Sequence, residues 1–368
     1  MRKGWIFGNM ENGNVTRYFL GANSRYGFYS LYDGFTNPAG GDFLWVIKGG
    51  PGCGKSSFMK RIGAAAEDAG FPVEYIHCSG DPDSLDGVWF PTLRTGYADG
   101  TAPHVIESTF PGAASLYLDL GTFYDAGALE RELDDIVELN RRYKSLYQRA
   151  YGLLAAAAEV SPKHLPGLWG APEREKLLRK LSGMASREFR GTSGAGGMKK
   201  RFLSAISCKG RVFMRETVES LCERVCTLDN ELGMAHLYLS GIADLAQERA
   251  LSVLLCPDPL DPEQLEAVLI PELSLGFVAV DSHMRYGGEV YRHMRLDAMA
   301  PRENLTAQRA QLRRAKKLSA ELLDGGMETL AEAKRLHDEL EKIYNPHVDF
   351  DGLYSAAQDH IEWLLGDN

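Results

Sequence analysis

Apolar positions along this 368-residue chain alternate between short unbroken runs and stretches spaced three and four apart. An apolar, β-leaning run at 43–47 leads through a glycine-rich stretch into 57–66, which can continue as helix. Residues 58–69 read as helix closed by Gly70, and 72–78 as a second strand. Asp81-Pro82 reads as a helix start, with Asp as N-cap and Pro at the first helical position. Residues 93–99 read as a third, short strand. Over 127–160, Leu129, Leu133, Ile136, Val137, Tyr143, Leu146, Tyr147 and Ala150 fall at helical spacing. Helix resumes at 173–189 after a proline-rich break, and 190–197 (RGTSGAGG) has the composition of a flexible linker. Residues 304–323 predict a basic helix and 328–344 a charged one, its stripe made of Leu330, Ala333, Leu336, Leu340 and Ile343. Pro346 breaks the second, and 350–365 predicts a last helix. The aromatic- and glycine-rich residues 1–42 predict short strands and turns, their rings either core or base-stacking.

The stretch between the first strand and first helix carries the chemistry. Gly49, Gly50, Pro51, Gly52, Cys53, Gly54, Lys55 and Ser56 spell G-x-x-x-x-G-K-S with a strand before and a helix after. Glycines let backbone N–H groups approach phosphate oxygens, and the helix start adds partial positive charge. Lys55 is expected to bridge the β- and γ-phosphates of ATP and Ser56 to ligate Mg²⁺, with Ser57 next in the cradle. Asp99 closes the third strand, where a carboxylate usually holds Mg²⁺, and is the candidate catalytic and metal-side acid. Its alternative is a turn-forming Asp before Gly100. Cys53 is read as a small loop residue or as a thiol acidified by the helix start. His104 is read as a phosphate sensor or as a surface or capping histidine.

The second half of the chain copies the first. DPDSLDGVWFPTLRTG (81–96) over DPEQLEAVLIPELSLG (261–276) gives seven identities in sixteen positions at an offset of 180. RYFLGANSRYG (17–27) matches KRFLSAISCKG (200–210) more faintly, and the strand ending at Asp99 is set against the one ending at Asp281. Where a second phosphate loop belongs, residues 228–236 keep only Gly233, and Asp229 and Glu231 would repel phosphate. The repeat predicts an α/β chain of two tandem P-loop NTPase-like domains with mostly parallel sheets, each followed by an α-helical segment. The expected division is 1–126 with the intact loop, 127–190 helical, 191–198 linker, 199–300 degenerate repeat and 301–368 helical.

Composition narrows the partners. A net charge of −9 argues against a protein that coats nucleic acid. Six cysteines without CxxC pairs predict reduced thiols and a cytoplasmic setting. Residues 1–14 show no apolar signal-peptide core, and no long apolar window predicts a membrane span. The basic run Arg309, Arg313, Arg314, Lys316 and Lys317 is a solvated face or the source of an arginine reaching the first loop.

At GFYSLYD (27–33), KGGPGCGKS (48–56), HCSGDPDSLDGV (77–88), DGTAPHVIE (99–107) and HDELEKIY (337–344), the chain resembles a family of bacterial P-loop ATPases with two tandem nucleotide-binding-like halves. The resemblance implies ATP and Mg²⁺ at Lys55 and Ser56 and names no substrate. Members of that family carry a lysine-bearing loop in both halves, and this chain departs from them in the second. The absence of N-K-x-D favours ATP over GTP; the absence of LSGGQ argues against a transporter ATPase. Three functions remain open: an ATP hydrolase, a kinase for a small molecule, and a non-enzymatic nucleotide-sensing scaffold.

Overall fold

The computed structural model describes residues 14–189 and 196–366. The first half runs β1 (Val15–Phe19), β2 (Gly21–Ser24), β3 (Gly27–Ser30), β4 (Phe43–Lys48), α1 (Lys55–Asp68), β5 (Val73–His77), β6 (Leu85–Phe90), β7 (Thr95–Asp99) and β8 (Ser115–Asp119). Helices α2 (Ala126–Arg131), α3 (Leu133–Glu159) and α4 (Ala171–Glu188) follow. The second half runs β9 (Gly197–Lys200), β10 (Ser204–Ser207), β11 (Gly210–Phe213), α5 (Arg215–Leu221), β12 (Arg224–Asp229), α6 (Ala235–Gln247), β13 (Ser252–Pro257), β14 (Leu265–Ile270), β15 (Leu275–Val280) and β16 (Arg292–Met294). It ends in α7 (Arg302–Ala307), α8 (Arg309–Tyr344) and α9 (Phe350–Leu365). Of the linker expected at 191–198, residues 191–195 lie outside the described residues, and β9 already begins at Gly197.

The chain is mixed α/β, with two six-stranded sheets built alike. Their orders are β1-β5-β6-β7-β4-β8 and β9-β13-β14-β15-β12-β16. Only β6 and β14 run against their neighbours. β4 lies between β7 and β8, so Val46 and Ile47 are fully buried, which is why its apolar run barely alternates.

Three sequence expectations change. Asp81-Pro82 opens a turn, not a helix: Ser84 N–H donates to Asp81 O at 2.9 Å. Leu85–Phe90 then pairs with both β5 and β7 and is buried at all six positions. Strand pairing on both sides outweighs a local cap signal, and the copy does the same, Gln264 N–H donating to Asp261 O at 2.8 Å. The helix expected over 127–160 is broken at Glu132, and Leu133 and Val137 face solvent at 54% and 57% exposure, outside the packed stripe. The two C-terminal helices expected at 304–323 and 328–344 join as one through Gly325-Gly326. A Cβ on Gly326 would lie 2.8 Å from Leu154 Cδ2, so glycine there permits close approach of α3.

The halves meet about a pseudo-twofold axis. Phe19 N–H donates to Phe202 O and Phe202 N–H to Phe19 O, both at 2.9 Å. Away from the axis, Cys208 N–H donates to Gly80 O and Arg25 N–H to Leu260 O. The helical segments cross over. α3 and α8 pack together through Ala150, Leu154, Ala157, Leu323 and Leu330. Beyond that pair, α4 of the first half seats Leu177, Leu181 and Met184 on Tyr238, Leu239 and Ile242 of α6. In return α9 seats Leu353, Ala357 and Leu364 on Phe58, Met59 and Ile62 of α1. Each half is thus roofed by the helices that follow the other. Among the described residues, no helix is long and apolar enough to cross a membrane.

Candidate functional site

Residues 49–54 leave β4 and enter α1 at Lys55. Glycine makes this path possible: φ is +154° at Gly49, +67° at Gly52 and +84° at Gly54. At Gly49 a Cβ would also lie 2.6 Å from Cys53 Sγ. Cys53 is buried, and burial pushes its thiol up, so it is a packed loop residue and not an acidified thiol.

Three side chains hold the loop's carbonyls. Lys55 Nζ donates to Gly49 O and Gly50 O, both at 2.8 Å. Tyr124 Oη donates to Pro51 O at 3.0 Å. The Asn345 amide, its nitrogen toward the loop, donates to Gly52 O at 3.0 Å. A trans peptide sets each C=O opposite the following N–H. The bonds from Tyr124 and Asn345 therefore turn the N–H groups of Gly52 and Cys53 the other way. α1 begins without a side-chain cap, and its first-turn N–H groups have no helical acceptor. Inward N–H groups, a helix start and one ammonium together suit an anion.

Lys55 Nζ also lies 3.6 Å from Asp99 Oδ2. Asp99 Oδ1 accepts from Thr101 N and Oγ1 at 2.8 and 2.6 Å. Ser56 Oγ accepts from Leu85 N at 2.9 Å, and Ser57 is exposed on the first turn of α1. The pairing of Asp99 with Asp281 does not survive the strand registers. Asp99 stands beside Ile47, and the equivalent Leu228 stands beside Ala279. Asp281 lies two residues further on, so Asp99 belongs to the first half alone.

Part of the site comes from the far end of the chain. Asn345 and Glu341 lie against Gly52, and Tyr344 packs on Tyr124 with ring centroids 5.4 Å apart. On the same stretch of α8, His337, Asp338 and Glu341 bring one ligand atom each within 4.8 Å of one another. The HDELEKIY motif held these residues, but nothing in it indicated contact with a loop nearly three hundred residues earlier. The basic run starts α8 at the opposite end, where Lys316 pairs with Glu231 at 3.1 Å. At about 1.5 Å per residue, it is some 37 Å along the helix from Glu341.

His104 is not on the surface. Its side chain is 5% exposed, with Nε2 3.2 Å from Asp86 Oδ2. The rings of Tyr32 and Phe28 lie 5.0 and 5.2 Å away. Burial disfavours the imidazolium, but Asp86 outweighs it and raises the His104 pKa. Tyr18, Phe19, Tyr32 and Phe35 are buried as core.

In the second half, side chains fill the corresponding place. Glu231 N–H and Leu232 N–H donate to the two carboxylate oxygens of Asp297 at 2.9 and 3.1 Å. His236 stands where Ser56 does: its Nδ1 accepts from Leu265 N at 3.0 Å. Lys163, delivered by the first half's helical segment, lies 2.7 Å from Asp281 and 3.9 Å from Asp258. Arg211 pairs with Asp258 and Glu266 at 3.3 and 2.6 Å. A carboxylate, and not merely missing glycines, answers the loop's amides there. Burial and the nearby Asp229 and Glu231 raise the Asp297 pKa to about 6, against the two amides. That raised value favours the folded state below about pH 4, and the advantage is lost as pH rises through 6. From pH 4 to 7.5 the wild type is expected to lose stability relative to Asp297→Asn, whose amide does not titrate, read by urea unfolding.

Compared with known proteins, the chain matches no family model, no curated protein and no solved structure.

Proposed function

We propose that this protein is a Mg²⁺-dependent ATP-binding protein that hydrolyses ATP at loop 49–56 of the first of two tandem P-loop NTPase-like halves. The second half is degenerate and binds no nucleotide. The observation that carries the reading is the contrast between the two loops. One has the carbonyls of Pro51 and Gly52 held by Tyr124 and Asn345, an uncapped helix start and Lys55 beside Asp99. The other has its amides on Asp297.

The residues present fit Mg²⁺·ATP. The amides of Gly52 to Ser56 and Lys55 would hold the β- and γ-phosphates, with Ser56 and Asp99 on the metal side. Bound there, the metal would draw charge from the terminal phosphate as its bond to the diphosphate opens. A nucleotide-sensing role is the second reading. It is favoured by Asn345, which ties the loop to a helix that follows the other half.

Calorimetric titration with ATP tests the proposal. One site per chain that weakens on removing Mg²⁺ is expected. Two equal sites, or none, would overturn it.

A further inference from the structure

Two buried polar atoms near the first loop have no hydrogen-bond partner among the described residues, His104 Nδ1 and Tyr32 Oη, and Asp86 Oδ2 beside them has the imidazole Nε2 at 3.2 Å. Their side chains form one group. His104 Nε2 faces Asp86, and the Tyr32 ring lies 5.0 Å from the imidazole. Unpaired buried polar atoms are costly, and a site with several of them is where a protein holds a water. The group stands at the end of the sheet where the loop leaves β4, with Asp86 on the interior strand β6. Asp86 follows the turn out of β5, and His104 N–H donates to Thr101 O, next to the Thr101–Asp99–Lys55 contacts. Asp99 and Lys55 are both close enough for their charges to act on His104. The degenerate half keeps the acid but not the arrangement: Glu266, at the place of Asp86, is taken by Arg211 and Ser204.

Resting on the ATPase reading above, we propose that His104, oriented by Asp86, is the general base that activates the water attacking the terminal phosphate. With Nε2–H toward Asp86, the imidazole carries its lone pair on Nδ1, which has no partner among the described residues. The water oxygen forms the new bond to phosphorus, and a water proton passes to Nδ1. The bond from phosphorus to the diphosphate oxygen breaks, leaving its electron pair on the diphosphate. Asp86 stabilises the resulting imidazolium, which later gives its proton to solvent or phosphate. The enclosure argues for water and not a metabolite: Asp86 and Tyr32 are 5% and 7% exposed.

The test uses the full chain with Mg²⁺·ATP and with ADP–aluminium fluoride, which imitates the transition state. His104→Asn is expected to keep ATP affinity within about threefold, to lose turnover by about a hundredfold or more, and to bind the analogue correspondingly less tightly. In His104→Gly, added imidazole is expected to restore part of the turnover. Should His104→Asn fail to fold, Asp86→Asn serves instead, with a tenfold or greater loss of turnover at unchanged ATP affinity. Wild-type turnover in these variants, parallel loss of ATP affinity, or turnover that needs an added hydroxyl acceptor would each overturn the assignment of His104. Absence of ATP binding by the wild type would instead overturn the reading on which it rests.

Discussion

Lys55→Ala is expected to weaken Mg²⁺·ATP binding by at least a hundredfold and to bring hydrolysis to background. Each charge-assisted hydrogen bond from the ammonium to a phosphate is worth about 1.5–3 kcal/mol, and two are lost together. The folded chain should tolerate the change. Lys55 is hydrogen-bonded to carbonyls of its own loop and paired with Asp99, and neither belongs to an apolar core cluster. Calorimetry with ATP and thermal melting without it separate the two effects. Unchanged affinity in a folded variant would mean that loop 49–56 is not where ATP binds.

The largest effect on stability is expected at Glu74→Ala. Glu74 lies on β5 with 4% exposure, and Arg201, with none, lies 3.5 Å from it. Lys199 pairs with the same carboxylate from β9. Burial alone would raise the Glu74 pKa, but Lys199 and Arg201 outweigh it and hold the carboxyl below its ordinary range. This ion triad joins the two sheets. Removing Glu74 leaves a fully buried guanidinium with carbonyl partners at Gly34 and Lys200 and no other ion pair among the described residues. Breaking a buried pair on one side costs about 3–5 kcal/mol. Urea unfolding should show that loss, and Glu74→Ala with Arg201→Met should recover much of it, since an apolar residue needs no counter-ion. A loss below 1 kcal/mol would mean that solvent reaches Arg201 in the native state.

Much of this architecture is visible in the residues. The loop is flagged by its glycines and by a strand and helix of opposite periodicity. The offset of 180 foretold two sheets of one design, and strand order agrees down to the single reversed strand. What the sequence hid came from contacts distant along the chain. Asp81-Pro82 looks like a helix cap until two neighbouring strands claim the residues after it. Asp297 looks like any surface acid until it meets the amides of Glu231 and Leu232, some 65 residues earlier. Nothing in the periodicity of α8 tells that its end rests on Gly52, because helix spacing reports a buried face but not what buries it. The same offset sets Asp86 against Glu266, so an acid at this place was legible in both halves, though not its contact with His104.

Amide hydrogen exchange with and without Mg²⁺·ATP bears most directly on the idea of one open and one self-filled cradle. Slower exchange at residues 52–57, with residues 230–235 unchanged, is the expected pattern. Protection at 230–235, or none at 52–57 under saturating nucleotide, would contradict it.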